Sequence, residues 1–210
     1  MKRKNTSPES ILLMDWHLIG DALAGDVDHY IGYYSAMQVH GLITQPSLTE
    51  QIVVSRQIRP SKLNVEGIPF QFIRHNSGHF FGFKKIQIDN VNKVQCSDLE
   101  KTFIDCLFKP DYAGGIVEIA KALFQSKGQL RWQLLLSYIV QFNSQAVIKR
   151  LGFLIELLGI RTNIVHDLQK IKTRSFVLLD TKLPNAGKFV SRWSIRQNVD
   201  SDTITSSILT

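Results

Sequence analysis

The sequence predicts an α+β fold, a small mixed or antiparallel sheet packed against a cluster of about five or six helices. Two observations carry this. Between Gln51 and Gln95, short β-branched and aromatic runs are separated by Gly, Pro and Asn, the pattern of strands and tight turns. From Ser97 to Leu158, apolar residues recur instead at spacings of three and four, the period of helices with one buried face. A run of strands followed by a run of helices favours α+β over a doubly wound sheet. At 210 residues and 44% hydrophobic content, the chain can bury one sizeable core.

In order, Met1 to Ser10 is polar and charged, with Lys2, Arg3 and Lys4 near its start. Leu12, Trp16, Ile19 and Leu23 then mark a helix over 11–23, with Glu9 or Ser10 near its start and Gly25 beyond its end. Residues 1–30 are expected to form a helical extension. A further helix spans Gly32 to His40, with Tyr33, Ala36, Met37 and His40 on one face and Gly41 as its left-handed stop. His40 invites a reading as ligand or base, but no second histidine or carboxylate lies at metal-ligand spacing. A structural role is preferred, since a histidine in a last turn gains about 0.3–1 kcal/mol from the helix dipole.

Strands are expected at 52–55, 68–75, 80–88 and 91–95. Arg56, Arg59 and Lys62 lie between the first two, where Pro60 marks a loop or an edge. Arg74, His75, Lys84 and Lys85 surround the next turn, beside Phe80, Phe81 and Phe83. The aromatics are read as core, and the cations are left open. Ser97 and Glu100 have the spacing of a capping box, so a helix starts near Asp98. Leu99, Phe103, Cys106 and Leu107 give it a buried stripe that Pro110 terminates. Asp111 to Gly115 is a turn before a helix burying Ile116, Ile119, Leu123 and Phe124. Two more helices follow over 130–142 and 146–158, and a strand over 176–179. Residues 199–210 are rich in Ser, Thr and Asp and are expected to be a disordered tail.

The formal charge is +7 with a sequence pI near 9.5, which favours attraction to phosphates. The charge is local: residues 161–196 hold eight Lys or Arg against Asp167 and Asp180, a net of +6. The nucleic-acid-binding candidates are accordingly Arg56, Arg59, Lys62, Lys170, Lys172, Arg174, Lys188, Arg192 and Arg196. Cys96 and Cys106 form no C-x-x-C pair and read as reduced core thiols of a cytoplasmic protein. No apolar run approaches the length of a membrane span, and the short run Ile11–Met14 is too brief for a signal sequence. Asp98, Glu100 and Asp105 raise the question of a metal nuclease. Residues two apart on a helix, such as Asp98 and Glu100, point about 200° apart, so the three do not converge. No catalytic, cofactor or metal-binding residue is assigned, and a non-catalytic protein is expected.

One set of residues carries a family resemblance. It comprises Ser97, Asp98, Glu100, Lys101, Thr102, Phe103, Asp105, Pro110, Gly114, Gly115 and Glu118. Tyr33-Tyr34-Ser35-Ala36 with His40-Gly41-Leu42 precedes them, and the run from Arg150 to Gly159 follows, with Leu179-Asp180 and Arg192-Trp193 as a fainter close. This pattern resembles the antitoxin component of AbiE-type (type IV) toxin–antitoxin systems, the AbiEi family, over roughly residues 30–198, with residues 31–198 as its antitoxin domain. The resemblance implies a cytoplasmic protein of phage abortive infection that neutralises a cognate nucleotidyltransferase-like toxin and has no catalytic centre. It also implies DNA binding and transcriptional regulation in fuller members, which place a winged helix-turn-helix before this region. Met1 to Tyr30 is too short to hold such a domain, so the match is to the C-terminal antitoxin domain. Asp180-Thr181 also departs from the Asp-Pro that related chains carry more often. The rival expectation is a stand-alone nucleic-acid-binding or nuclease-related accessory protein.

Overall fold

The structure is a computed structural model that describes residues 15–43 and 45–208. The expected first turn over 11–14 and the basic Lys2, Arg3 and Lys4 lie outside the described residues. The chain begins with α1 (Trp16–Ala24), β1 (His29–Ile31) and α2 (Tyr33–Val39). Five strands follow: β2 (Glu50–Val54), β3 (Lys62–Val65), β4 (Ile68–Arg74), β5 (Phe83–Gln87) and β6 (Lys93–Ser97). Next come α3 (Leu99–Phe108), a 3-10 turn (Pro110–Ala113), α4 (Ile116–Ser126), α5 (Trp132–Phe142), α6 (Gln145–Leu157) and α7 (Val165–Ile171). The chain closes with β7 (Val177–Leu178), β8 (Lys188–Val190), β9 (Ile195–Gln197) and α8 (Ser201–Ser207). The fold is α+β.

The first six strands form one mixed sheet in the order β3-β4-β2-β1-β6-β5. β2 pairs parallel to β4 and antiparallel to β1, and β1 pairs parallel to β6. All five residues of β2 are buried, because both of its faces are covered. Alternation along the strand sends neighbouring side chains to opposite faces. Ile52 and Val54 pack with Phe70 and Phe72 beneath Trp16, Ile19 and Leu23 of α1. Val53 instead meets Tyr30, Tyr33 and Ile73. The main core lies among the helices, where Phe103, Leu107, Ile119, Leu123, Leu151, Leu154 and Trp193 are buried together. The last three strands make a second small sheet in the order β7-β9-β8. No helix among the described residues is long and apolar enough to cross a membrane.

Three expectations differ from the structure. The boundary at residue 30 falls inside β1, and α1 seals one face of the large sheet, so the first described segment is part of the core. The short strand was hidden because Tyr30 and Ile31 are only two apolar residues beside Asp26 and Asp28. The tail expected to be disordered holds α8, whose Ile204 is fully buried, and Ile208, just beyond its end, packs against the helical core. Two apolar anchors among polar residues suffice to dock a short helix. The capping box is also replaced: Asp98, not Ser97, accepts from the Lys101 amide at 2.9 Å. Ser97 ends β6 and its hydroxyl instead meets the Thr102 hydroxyl at 2.7 Å.

Candidate functional site

The residues that carry the resemblance converge on α3 and its neighbours. Glu100 accepts three bonds from Arg131, from its backbone amide at 2.8 Å, Nε at 3.1 Å and Nη2 at 2.7 Å. Burial pushes the Glu100 carboxyl up, yet these bonds outweigh it and hold the group below its ordinary range. Asp98 also accepts from the Tyr138 hydroxyl at 3.0 Å, and burial keeps its carboxyl above the usual value. These two carboxylates therefore fasten the start of α3 to the start and middle of α5.

One turn further along α3, Lys101 and Asp105 form an ion pair whose side chains are wholly buried. Lys101 Nζ also donates to the Tyr30 hydroxyl at 2.8 Å, and that hydroxyl donates to Asp105 Oδ2 at 3.0 Å. His75 adjoins the pair, with Nδ1 3.3 Å from the Tyr30 hydroxyl and 3.8 Å from Asp105 Oδ1. Its Nε2 lies 2.7 Å from the Tyr33 hydroxyl. The ammonium of Lys101 stands 5.2–5.3 Å from the ring centres of Tyr30, Phe81 and Phe142, a favourable cation–π setting. This cluster ties β1 and the end of β4 to α3. Desolvation lowers the Lys101 pKa, with the opposite charge of Asp105 resisting the change. The side chains of Lys101, Asp105 and His75 are closed to solvent and brace these elements against one another as a polar frame.

His75 makes this frame sensitive to acid. Burial lowers its pKa to about 4, against the opposing attraction of Asp105. Below the ordinary value of about 6.5, the unfolded chain binds a proton that the folded chain does not. Stability is then expected to fall as pH drops from about 6.5 towards about 4, by on the order of 3 kcal/mol at the lower limit, with no contribution from this group above that window. Denaturant unfolding across this range checks it: His75→Gln should flatten the slope, and an unchanged slope would assign it to other groups. His40 follows the same logic. Its Nε2 lies 2.8 Å from the Ser97 carbonyl oxygen and burial lowers its pKa, so a neutral hydrogen-bonded ring replaces the expected charge–dipole effect.

The remaining resemblance residues also meet one another. Asp180 Oδ2 accepts from the Ile116 amide at 2.7 Å, at the start of α4, and a Cβ on Gly115 would fall 2.8 Å from that oxygen. Arg150 donates to the carbonyls of Leu107 at 2.6 Å and Phe108 at 3.2 Å, and through Nε and Nη2 to Leu178 at 3.0 and 2.8 Å. It thereby holds the end of α3 to β7, and burial pushes its pKa down to about 10. Gly152 receives the face of Trp193, whose indole N–H donates to Glu156 at 2.7 Å.

The nine candidate cations fall into two groups. Arg56 and Arg59 are exposed in the loop between β2 and β3, and exposed Lys62 opens β3 at the sheet edge. The other six belong to α7, the small sheet and their connections. Two of these are already paired: Arg192 Nε lies 2.7 and 2.8 Å from the two Glu156 oxygens, and Lys170 lies 3.5 Å from Asp167. Lys172 is half-buried, Arg174 and Lys188 are exposed, and Arg196 lies with its guanidinium 5.3 Å from the Phe189 ring centre. Of the open cations, Arg74, Lys84 and Lys85 are exposed, while Phe80 and Phe83 pack on Tyr30 as core. Among the described residues, no group of three or more His, Cys, Asp or Glu could hold a metal ion.

Sequence reasoning missed Lys149, whose ammonium donates to the Ser175 carbonyl at 2.5 Å and to the Thr173 hydroxyl at 3.0 Å, shaping the approach to β7. It also missed Phe189, 60% exposed, and Phe176, 45% exposed, which meet edge to face at 4.8 Å. The alternation in Lys188-Phe189-Val190 and Ile195-Arg196-Gln197 was the available signal.

Comparison with known proteins yields a fold and no more. No protein-family model matches the chain, and no curated protein matches it. The crystal structure of the Rv2827c protein from Mycobacterium tuberculosis is similar in fold, with a TM-score of 0.61 at 11% identity. The similarity covers 94% of this chain and 71% of that one.

Proposed function

We propose that this chain is a non-catalytic, antitoxin-type binding protein of the cytoplasm that neutralises a nucleotidyltransferase-like toxin, with DNA contact and transcriptional regulation as accessory properties. The observation that carries this reading is the use made of the resemblance residues. Glu100, Lys101, Asp105, Arg150 and Asp180 all bond inward, to side chains or backbone groups of neighbouring elements. They build a frame that presents a surface, which is what a neutralising partner needs and what a catalytic centre does not.

Growth rescue tests it. A neighbouring nucleotidyltransferase-like gene expressed alone should stop colony formation, and coexpression with this chain should restore it. Equal killing in both cases, with the chain folded, would overturn the reading. A second reading, a stand-alone nucleic-acid-binding or nuclease-related accessory protein, is favoured by one feature, the cations that surround the small sheet.

A further inference from the structure

The outer face of the small sheet carries an arrangement that the antitoxin reading does not use. Register places Leu178 of β7 opposite Arg196 of β9, and Arg196 opposite Phe189 of β8, so the three side chains form one row across the strands. The intervening register row, Val177, Ile195 and Val190, turns to the helical core instead. Phe176, two residues before Leu178, extends the outer row and supports the Phe189 ring from the side. Arg196 Nη1 donates to Asn185 Oδ1 at 2.9 Å, which anchors the guanidinium beside that ring.

The segment that carries this row, residues 161–196, has a net charge of +6. Asp167 is paired with Lys170, and Asp180 is buried, accepting from the amides of Ile116 and Lys182. Arg174 and Lys188 are exposed and, among the described residues, make no ion pair. An exposed aromatic ring beside an arginine, on a segment of net positive charge, combines the two contacts by which proteins hold single strands. Phosphates are attracted by charge, and unpaired bases stack on the ring. In a duplex the base faces are already stacked on one another, so only an unpaired base can use the ring.

We propose that this face binds single-stranded nucleic acid, with an unpaired base stacked on Phe189 and a flanking phosphate held by Arg196, the cation recorded beside that ring. The inference rests on the nucleic-acid-binding reading above and not on toxin neutralisation, which growth rescue tests separately. Because stacking ignores hydrogen-bonding edges, the site tolerates any base, and its affinity falls with added salt.

Fluorescence anisotropy of the full chain tests the proposal, with a labelled oligothymidylate of about 20 nucleotides and a mixed-sequence duplex of equal length, at about 50 mM and about 200 mM salt. The single strand should bind more tightly than the duplex. Phe189→Leu, which keeps an apolar cover over the sheet, should weaken single-strand binding about fivefold to tenfold with the melting temperature unchanged. Phe189→Trp should restore or exceed the original affinity. Arg196→Gln should weaken single-strand binding and reduce its salt dependence. Equal or tighter duplex binding would overturn the proposal, as would equal affinities for the Leu and Trp variants. Displacement by polyglutamate that Phe189→Leu does not alter would mark the face as a site for acidic proteins instead.

Discussion

Asp105→Ala is expected to destabilise the protein by about 3–5 kcal/mol, because it leaves the Lys101 ammonium buried and uncompensated. The side chains of both residues are fully buried, and among the described residues the carboxylate is the only anion that contacts that ammonium. The loss is a large part of the about 5–15 kcal/mol that separates folded and unfolded states in ordinary domains. The same reasoning makes the double change milder than the single one. Replacing both partners, Lys101→Met with Asp105→Leu, removes two desolvated charges together and should recover most of the loss, leaving the Tyr30 hydroxyl to His75 alone. Urea denaturation of the four proteins in the cycle measures this. Equal destabilisation by the single and double changes would mean that packing, rather than charge compensation, sets the cost.

Gly152→Ala is the second large effect. A Cβ at this position would stand 2.1–2.4 Å from three carbons of the Trp193 ring, far inside contact distance. Trp193 cannot swing aside cheaply. It is nearly fully buried, and its indole N–H is held by Glu156, which Arg192 grips from the other side. Overpacking of this kind typically costs about 1–3 kcal/mol and more where the neighbour is fixed. We expect about 3 kcal/mol, together with a red-shifted tryptophan emission as the indole leaves its pocket. Trp193→Phe in the Gly152→Ala background should relieve part of the clash, since a six-membered ring reaches less far. A Gly152→Ala protein with unchanged stability and emission would show that the ring does not rest on this glycine.

These two sites show how far a sequence can be read and where it stops. The helical period from Leu99 to Leu157 sets the positions of α3, α4, α5 and α6 almost residue by residue, because each helix repeats its stripe over two or more turns. β2 and β4 were legible from β-branching and alternation. β1, β8 and β9 have three residues each, too few for a period to be seen, and their place in a sheet is set by their neighbours. α7 and α8 have seven residues each and no glycine stop of the kind Gly41 supplies after α2.

Capping was misread for a related reason. Ser97 and Glu100 have the right spacing, but Arg131 is the stronger partner for Glu100, and nothing local announces it. Among the cations, Arg192 and Lys170 look as available in sequence as Arg174 and Lys188. Glu156, far from Arg192 along the chain, is what removes Arg192 from the available set. The aromatic row on the small sheet depends on register, which only the paired strands reveal.

We propose that the buried polar residues frame the fold and that neutralisation happens at the surface. The most direct test repeats the growth rescue with the Lys101→Met, Asp105→Leu protein, first shown to be folded by its denaturation curve. Rescue equal to that of the unaltered chain is the predicted result, since the charges are inside and the surface is unchanged. A folded double variant that fails to rescue, while the unaltered chain succeeds, would contradict the account and assign Lys101 and Asp105 a part in the activity itself.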